Sequence, residues 1–313
     1  MYRIIQGDCL ESLKKLPDQH VHCCVTSPPY FGQRDYGVEG QLGLEKTPME
    51  YVEKLVAIFR EVRRVLRDDG TLWLNLGDSY AANRSYQVPS TKGGAKHGPA
   101  QGVRGRGSTV PDGLKPKDLI GIPWSVAFAL REDGWWLRQD IIWNKPNAMP
   151  SSVTDRCTTA HEYIFLLAKS ERYYYDHVAV QEPAVCNHSS GNGFAGRQGG
   201  SEHLPMSGGH GTEEEWKPGG MRNRRSVWTI PTRPFKGAHF AVFPPNLIEP
   251  CILAGCPRDG LVLDPFCGSG TTGVVALKHG RSFTGIELNP EYVKMATERI
   301  ESSRPAKLGN LFD

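Results

Sequence analysis

Nothing in the 313 residues approaches the roughly 20 consecutive apolar positions needed to cross a bilayer, so no membrane span is expected. Net charge is nearly absent as well. The 37 Lys and Arg against 34 Asp and Glu leave +3, too little to argue a nucleic-acid partner from the total alone. The eight cysteines contain no C-x-x-C pair; Cys157 with His161, or Cys186 with His188, are the nearest imaginable ligands. Buried reduced thiols are the better reading of them, and no metal is expected. No internal repeat is visible. The opening MYRIIQGD carries an amide and an acid too early for a secretion signal, which makes the cytoplasm the expected compartment.

What is present reads as one globular domain with a smaller lobe. The hydrophobic and charged fractions, 39% and 23%, are ordinary, while 35 Gly and 23 Pro predict long loops between regular elements. Charge is unevenly spread. Seven basic residues and one acid lie between Arg84 and Lys117, and six basic residues with no acid lie from Lys217 to Lys236. Both stretches are rich in Gly or Pro and read as mobile basic loops suited to phosphates, the first spanning about 81–117.

Along the chain, a strand over 2–6 leads through Gly7 and Asp8 to a helix over 9–16 and a buried strand at 21–25. Pro28 and Pro29 stop that strand and present Ser27 to Tyr30 at the sheet's edge. Thr47, Pro48 and Glu50 form a capping box for a helix whose apolar face is Val52, Leu55, Val56, Phe59, Val62 and Leu66, closed by Gly70. A strand at 71–76 follows, completing a strand–helix–strand unit typical of a parallel sheet. Then come a helix at 118–131, strands at 136–143 and 163–168, and a strand at Tyr173–Tyr175. Periodicity is lost from about 181 to 225. It returns as a helix at 245–254, a strand at 261–263, a helix at 271–279, a strand at 282–286 and a helix at 290–302.

Two constellations carry chemistry. In Leu261 to Gly273, a strand, a Gly-rich turn and a helix start place Gly268, Gly270 and Gly273 in a literal G-x-G-x-x-G. A nicotinamide-dependent oxidoreductase would bring a pyrophosphate there, which Asp264 at the strand end would repel. S-adenosylmethionine offers an ammonium and a sulfonium that Asp264 would attract. Glu287, ending the next strand, stands where an acid accepts from ribose hydroxyls. Few residues follow Glu287, so the remaining strands must come from the N-terminal half. The cofactor half therefore lies late in the chain, the order looks circularly permuted, and Asp8 could reach the adenine amine of the cofactor.

The second constellation is Ser27-Pro28-Pro29-Tyr30. An exocyclic amine is a weak nucleophile because its lone pair is delocalised, and acceptors must hold its hydrogens and aim that pair at the methyl. The Ser27 hydroxyl and Pro28 carbonyl can accept those hydrogens, and Tyr30 offers a face for a flipped base. No strong base is needed before transfer, since the nitrogen becomes acidic once alkylated.

With these residues the chain resembles the permuted beta group of DNA amino-methyltransferases, in which [DNS]-P-P-[YFW] precedes D-P-F-x-G-x-G-T. The resemblance covers nearly all of 1–302, including 74–78, Ile141 to Pro146 and Gly237 to Pro244. It implies an α/β, Rossmann-like S-adenosylmethionine-dependent sheet, circularly permuted, with an irregular target-recognition insertion. The halves are 1–176 (catalytic) and 227–302 (cofactor-binding), flanking the recognition region 177–226, with a tail at 303–313. It further implies that Asp8, His239, Phe240, Asp264, Phe266, Gly268, Gly270, Thr271 and Glu287 bind the cofactor, with Asn75 or Asp78 backing Ser27. Arg104, Arg106, Arg222, Arg224 and Arg225 are implied contacts to duplex DNA. Ser27 favours cytosine N4 over adenine N6, because Asp is common there among adenine members. Such enzymes also admit a second copy of the chain and a cognate restriction endonuclease as partners.

Overall fold

A computed structural model describes residues 1–81, 110, 114–184, 220–232 and 243–303. By its internal contacts the chain divides into Met1–Asp176 with Arg225–Asp313, and His177–Arg224. The strands are β1 (Tyr2–Gln6), β2 (Val21–Thr26), β3 (Leu66–Leu76), β4 (Trp136–Asn144), β5 (His161–Ala168), β6 (Glu182–Pro183), β7 (Met221–Arg222), β8 (Val227–Thr229), β9 (Leu261–Asp264) and β10 (Ser282–Glu287). The helices are α1 (Cys9–Leu13), α2 (Pro48–Val65), α3 (Ile122–Glu132), α4 (Pro245–Gly255), α5 (Thr271–Lys278) and α6 (Pro290–Ser303).

In the larger unit an eight-stranded sheet runs β1-β10-β9-β2-β3-β5-β4-β8. The first five of these are mutually parallel, and β5 is antiparallel to both β3 and β4. The two strands latest in sequence thus sit between the first two. Alternation along the central strands covers the sheet on both faces. Cys24, Leu72 and Leu74 join the core built with α2 and α3. Cys23, Thr71 and Trp73 meet α4 on the opposite face, so closely that a Cβ on Gly255 would lie 2.4 Å from the Trp73 indole nitrogen.

The long helix α2 follows its sequence signals. Thr47 Oγ1 accepts from the Glu50 amide at 3.2 Å, and Glu50 Oε2 accepts from the Lys46 amide at 3.0 Å. It buries Tyr51, Val52, Leu55, Ile58, Phe59, Val62 and Val65. Other boundaries need correction. The helix ends at Val65, with Leu66 already extended, so Gly70 lies within a strand that begins at Leu66. The first helix stops at Leu13.

The third helix starts at Ile122, four residues later than its periodicity predicts, because the Asp78 carboxylate accepts the Gly121 and Ile122 amides at 3.1 and 3.2 Å. Tyr173–Tyr175 is not a strand: the Tyr174 amide finds a single partner in the Asp69 carbonyl, and Tyr175 stacks on Trp73. No described helix is long and apolar enough to cross a membrane.

In the smaller unit, β6 and β7 form a two-stranded antiparallel ladder, and Arg222 pairs with Glu182 across it at 3.0 Å. Arg104, Arg106, Cys186, His188, His239 and Phe240 lie outside the described residues. Of the seven described cysteines, six are buried and Cys157 is exposed, against the expectation of burial for all.

Candidate active site

Five parallel strands end along one edge of the sheet, and each delivers a polar group there: Asp8 after β1, Ser27 after β2, Asn75 in β3, Asp264 in β9 and Glu287 in β10. In open α/β sheets ligands bind outside the carboxyl ends of strands. A cavity of about 1020 Å³ opens at that edge. Asp8, Phe266, Gly268 and Glu287 line it together with Ser27, Pro28, Pro29 and Tyr30. The two constellations, far apart in the chain, therefore share one space.

On the β9–β10 side, the turn after Asp264 is held by Glu287. Its Oε2 accepts from the Gly268 amide at 2.8 Å and its Oε1 from the Asn289 amide at 2.8 Å. Burial raises the pKa of Glu287, and those two amides oppose the rise. A carboxylate has about four lone-pair sites, so each oxygen can still accept from a ligand hydroxyl. Asp8 Oδ1 caps α1 through the Glu11 amide at 2.9 Å, and the residue lines the cavity.

Three expected cofactor residues stand elsewhere. Asp264 is 1% exposed and does not line the cavity. Its Oδ1 accepts from Thr26 Oγ1 at 2.6 Å and the Phe266 amide at 3.1 Å, and its Oδ2 accepts from Thr272 Oγ1 at 2.6 Å. Burial pushes its carboxyl up to about 6 despite these donors. Gly270, with φ +78°, caps α5 and faces α6, where a Cβ would lie 3.0 Å from Ala296 Cβ. Thr271 Oγ1 is spent on Arg299 at 2.8 Å. The glycines of the G-x-G-x-x-G divide accordingly. Gly268 serves the cavity, while Gly270 and Gly273 let helices pack.

On the β2–β3 side, Tyr51 Oη donates to the Pro29 carbonyl at 2.7 Å and fixes the double-proline turn. Tyr30 packs against Gly77, where a Cβ would lie 2.6 Å from its ring. Its hydroxyl lies 3.4 Å from Ser27 Oγ, 3.1 Å from Asn75 Oδ1 and 2.7 Å from Glu162 Oε2. Burial first, then the Glu162 charge, raise the Tyr30 phenol well above its ordinary range. The expected partner of Ser27 is thus corrected: Asn75 serves Tyr30 and Glu162, and Asp78 caps α3.

Glu162, with Lys145 paired to it, also lines the cavity. Glu162 belongs to neither motif of the sequence, and the signal available there was an acid just before the apolar run from Tyr163 to Ala168. Of the described arginine candidates, Arg222 and Arg224 lie in the smaller unit, Arg222 engaged by Glu182, and Arg225 in the larger unit precedes β8, its carbonyl accepting from the Trp228 indole at 2.7 Å.

Comparison with known proteins fits this geometry. The family profile described as DNA methylase, for N6 and N4 methyltransferases, matches residues 21–298. The type II methyltransferase M.Cfr9I of Citrobacter freundii is 51% identical over 299 residues, covering 95% of this chain and 87% of its own. The type II methyltransferase M.SmaI of Serratia marcescens is 48% identical, covering 95% and 90%. In fold, the chain is similar to PvuII DNA methyltransferase (cytosine-N4-specific), with a TM-score of 0.63 at 20% identity over 96% of this chain and 90% of that one. TTHA0409 of Thermus thermophilus, solved in complex with S-adenosyl-L-methionine, gives 0.61 at 23% identity over 98% and 96%. On the extent of the profile match and the identity to these relatives, the chain belongs to the N6/N4 DNA methylase family.

Proposed function

We propose that the chain methylates N4 of cytosine in duplex DNA, using S-adenosylmethionine as methyl donor and acting on a base flipped into the cavity. The observation that carries this reading is the shared cavity, in which Ser27 to Tyr30 and the Gly268–Glu287 turn face one space. The residues fit the donor. Glu287 and Asp8 supply acceptors for hydroxyls and an amine, Gly268 allows close backbone approach, and Phe266 offers an apolar wall. When bound, the donor supplies an electrophilic methyl whose bond to sulfur breaks, with the electron pair left on sulfur, as the bond to nitrogen forms.

The chain's own residues do the rest. Ser27 and the Pro28 carbonyl take the amine hydrogens and so localise its lone pair. The turn that holds them is stiffened by two prolines and by the Tyr51 bond to the Pro29 carbonyl, so little reorganisation accompanies reaction. Tyr30 stands beside them as a wall against which a base can lie. The basic segments around Arg104 and Arg106, and Arg222, Arg224 and Arg225, are the proposed phosphate and base contacts. The order in which the amine motif precedes the cofactor motif is that of the permuted beta group, and a cognate restriction endonuclease is the expected companion.

Incubating the protein with unmethylated plasmid and labelled donor, then digesting to nucleosides for mass spectrometry, tests the reading. N4-methylcytosine is the expected product. N6-methyladenine overturns the choice of base, and absence of label overturns methyl transfer to DNA.

A further inference from the structure

The wall that carries Ser27 continues as a row of polar side chains that gripping an amine does not require. Ser27 Oγ lies 3.4 Å from Tyr30 Oη, which donates to Glu162 Oε2 at 2.7 Å. Asn75 holds the same carboxylate oxygen through its amide at 3.2 Å, and is itself anchored by the Tyr163 carbonyl at 3.0 Å. Lys145 pairs with the other oxygen of Glu162 and lies 4.3 Å above the Trp143 ring. Ser27, Tyr30, Asn75, Lys145 and Glu162 all line the cavity. Two exchangeable hydroxyls thus connect the amine site to a carboxylate.

We propose that Glu162, acting through Tyr30 and Ser27, is the final acceptor of the proton that the base amine loses on methylation. The inference rests on the methyl-transfer reading above. Once alkylated, the amine nitrogen is positively charged and one of its N–H bonds must break. The proton passes to Ser27 Oγ as the Ser27 hydrogen moves to Tyr30 Oη and the Tyr30 hydrogen moves to Glu162 Oε2. Nitrogen keeps the electron pair, both hydroxyls are regenerated, and Glu162 ends as a neutral acid that later gives its proton to water.

Tyr30 suits a relay better than a base. Its buried phenol resists ionisation, so it hands a proton on without holding the charge. The choice of terminus follows from geometry. Three described carboxylates line the cavity, and of these Asp8 caps α1 and Glu287 holds the Gly268 turn. Glu162 is the one that meets the Ser27–Tyr30 pair. It is a positioning residue in that it works through Tyr30, and its negative charge also favours the positive charge growing on the nitrogen.

The test compares single-turnover methyl-transfer rates of the wild type, Glu162→Gln, Glu162→Asp, Tyr30→Phe and the Glu162→Gln/Tyr30→Phe double variant, with donor affinity measured by calorimetry. Gln keeps the size and the acceptor for Tyr30 but cannot take a proton. It should slow transfer on the order of 100-fold with donor affinity unchanged. Asp should recover part of the rate. Tyr30→Phe should be slow, and the double variant no slower than the slower single one, because each change cuts the same row.

A Glu162→Gln rate equal to the wild type, or a double variant showing the product of both losses, overturns the inference while leaving methyl transfer standing. A wild type that transfers no label to an exocyclic amine overturns both. Should Glu162→Gln fail to bind donor and prove unfolded, Tyr30→Phe decides: an unchanged rate breaks the row at its middle and overturns the inference, a slow one supports it.

Discussion

Thr26 Oγ1 donates to Asp264 Oδ1 at 2.6 Å across the seam between β2 and β9, tying together two strand ends 238 positions apart. Ser27 begins where Thr26 ends, and the Gly268 turn begins just beyond Asp264. One buried bond therefore sets the amine site against the donor site. The acid expected to greet a cationic donor works from behind the pocket, as the peg on which two loops hang.

Replacing Thr26 by Val keeps its shape and removes this bond while Asp264 retains Thr272 and the Phe266 amide. Hydrogen bonds to charged groups typically contribute about 1.5–3 kcal/mol, so denaturant unfolding should show a stability loss near the lower part of that range. Methyl transfer should slow by more than donor affinity weakens. An unchanged rate would show that the seam holds without this bond.

Burial that pushes Asp264 up to about 6 has a sign. Between the ordinary carboxylate range and about 6, the folded protein holds a proton at this site that the unfolded chain has released, so this group's contribution to stability falls as pH rises through that window. Asp264→Asn removes the dependence. Unfolding free energies of the wild type and this variant, measured from about pH 4 to 7, should converge at the acid end and separate in the variant's favour toward neutrality. Parallel curves would mean the carboxylate titrates as it does in water.

Much of this arrangement was legible in the sequence, and what was not has physical causes. Apolar periodicity and capping chemistry disclose α2, and strand ends marked by Asp8, Ser27 and Glu287 disclose which edge is chemical. The reversed direction of β5 leaves no trace in Tyr163 to Ala168, because a largely buried apolar strand reads the same either way. Three consecutive tyrosines favour a strand intrinsically, yet β5 already pairs with Thr71 to Leu76 of β3, and the tyrosines gain only the single Tyr174–Asp69 backbone bond beyond that ladder. Glu162 reads as a surface acid until folding sets Lys145 and Tyr30 against it. Asp264 stands out in the sequence, but only the structure shows that its three donors come from within the protein.

Gly273 tests what the G-x-G-x-x-G match means here. A Cβ at this position would meet Ile300 Cδ1 at 2.6 Å and the Phe283 ring at 2.7 Å, so Gly273→Ala must push α5 away from α6 and β10. Overpacking of this kind typically costs about 1–3 kcal/mol. Thermal unfolding should move down accordingly, while the donor affinity of the folded fraction stays close to wild type. A selective loss of donor binding at full stability would instead place Gly273 in the ligand cradle.

Gly77 lies at the end of β3 with the Tyr30 ring against it, and an added Cβ would sit 2.6 Å from Tyr30 Cε2 and 3.0 Å from Cδ2. Alanine there leaves every donor-binding group in place and displaces the one ring that joins Ser27 to Glu162. The Tyr30 hydroxyl now reaches Glu162 at 2.7 Å and Asn75 at 3.1 Å, so a shift of several tenths of an ångström is enough to lengthen both bonds. Gly77→Ala should therefore slow single-turnover methyl transfer by about tenfold or more, since misplacing a reacting group by about 1 Å can cost on the order of 100-fold. Calorimetry should find donor affinity unaltered. A variant as fast as the wild type would mean that Tyr30 can yield by that distance without consequence, and that its position matters less to the reaction than its hydroxyl.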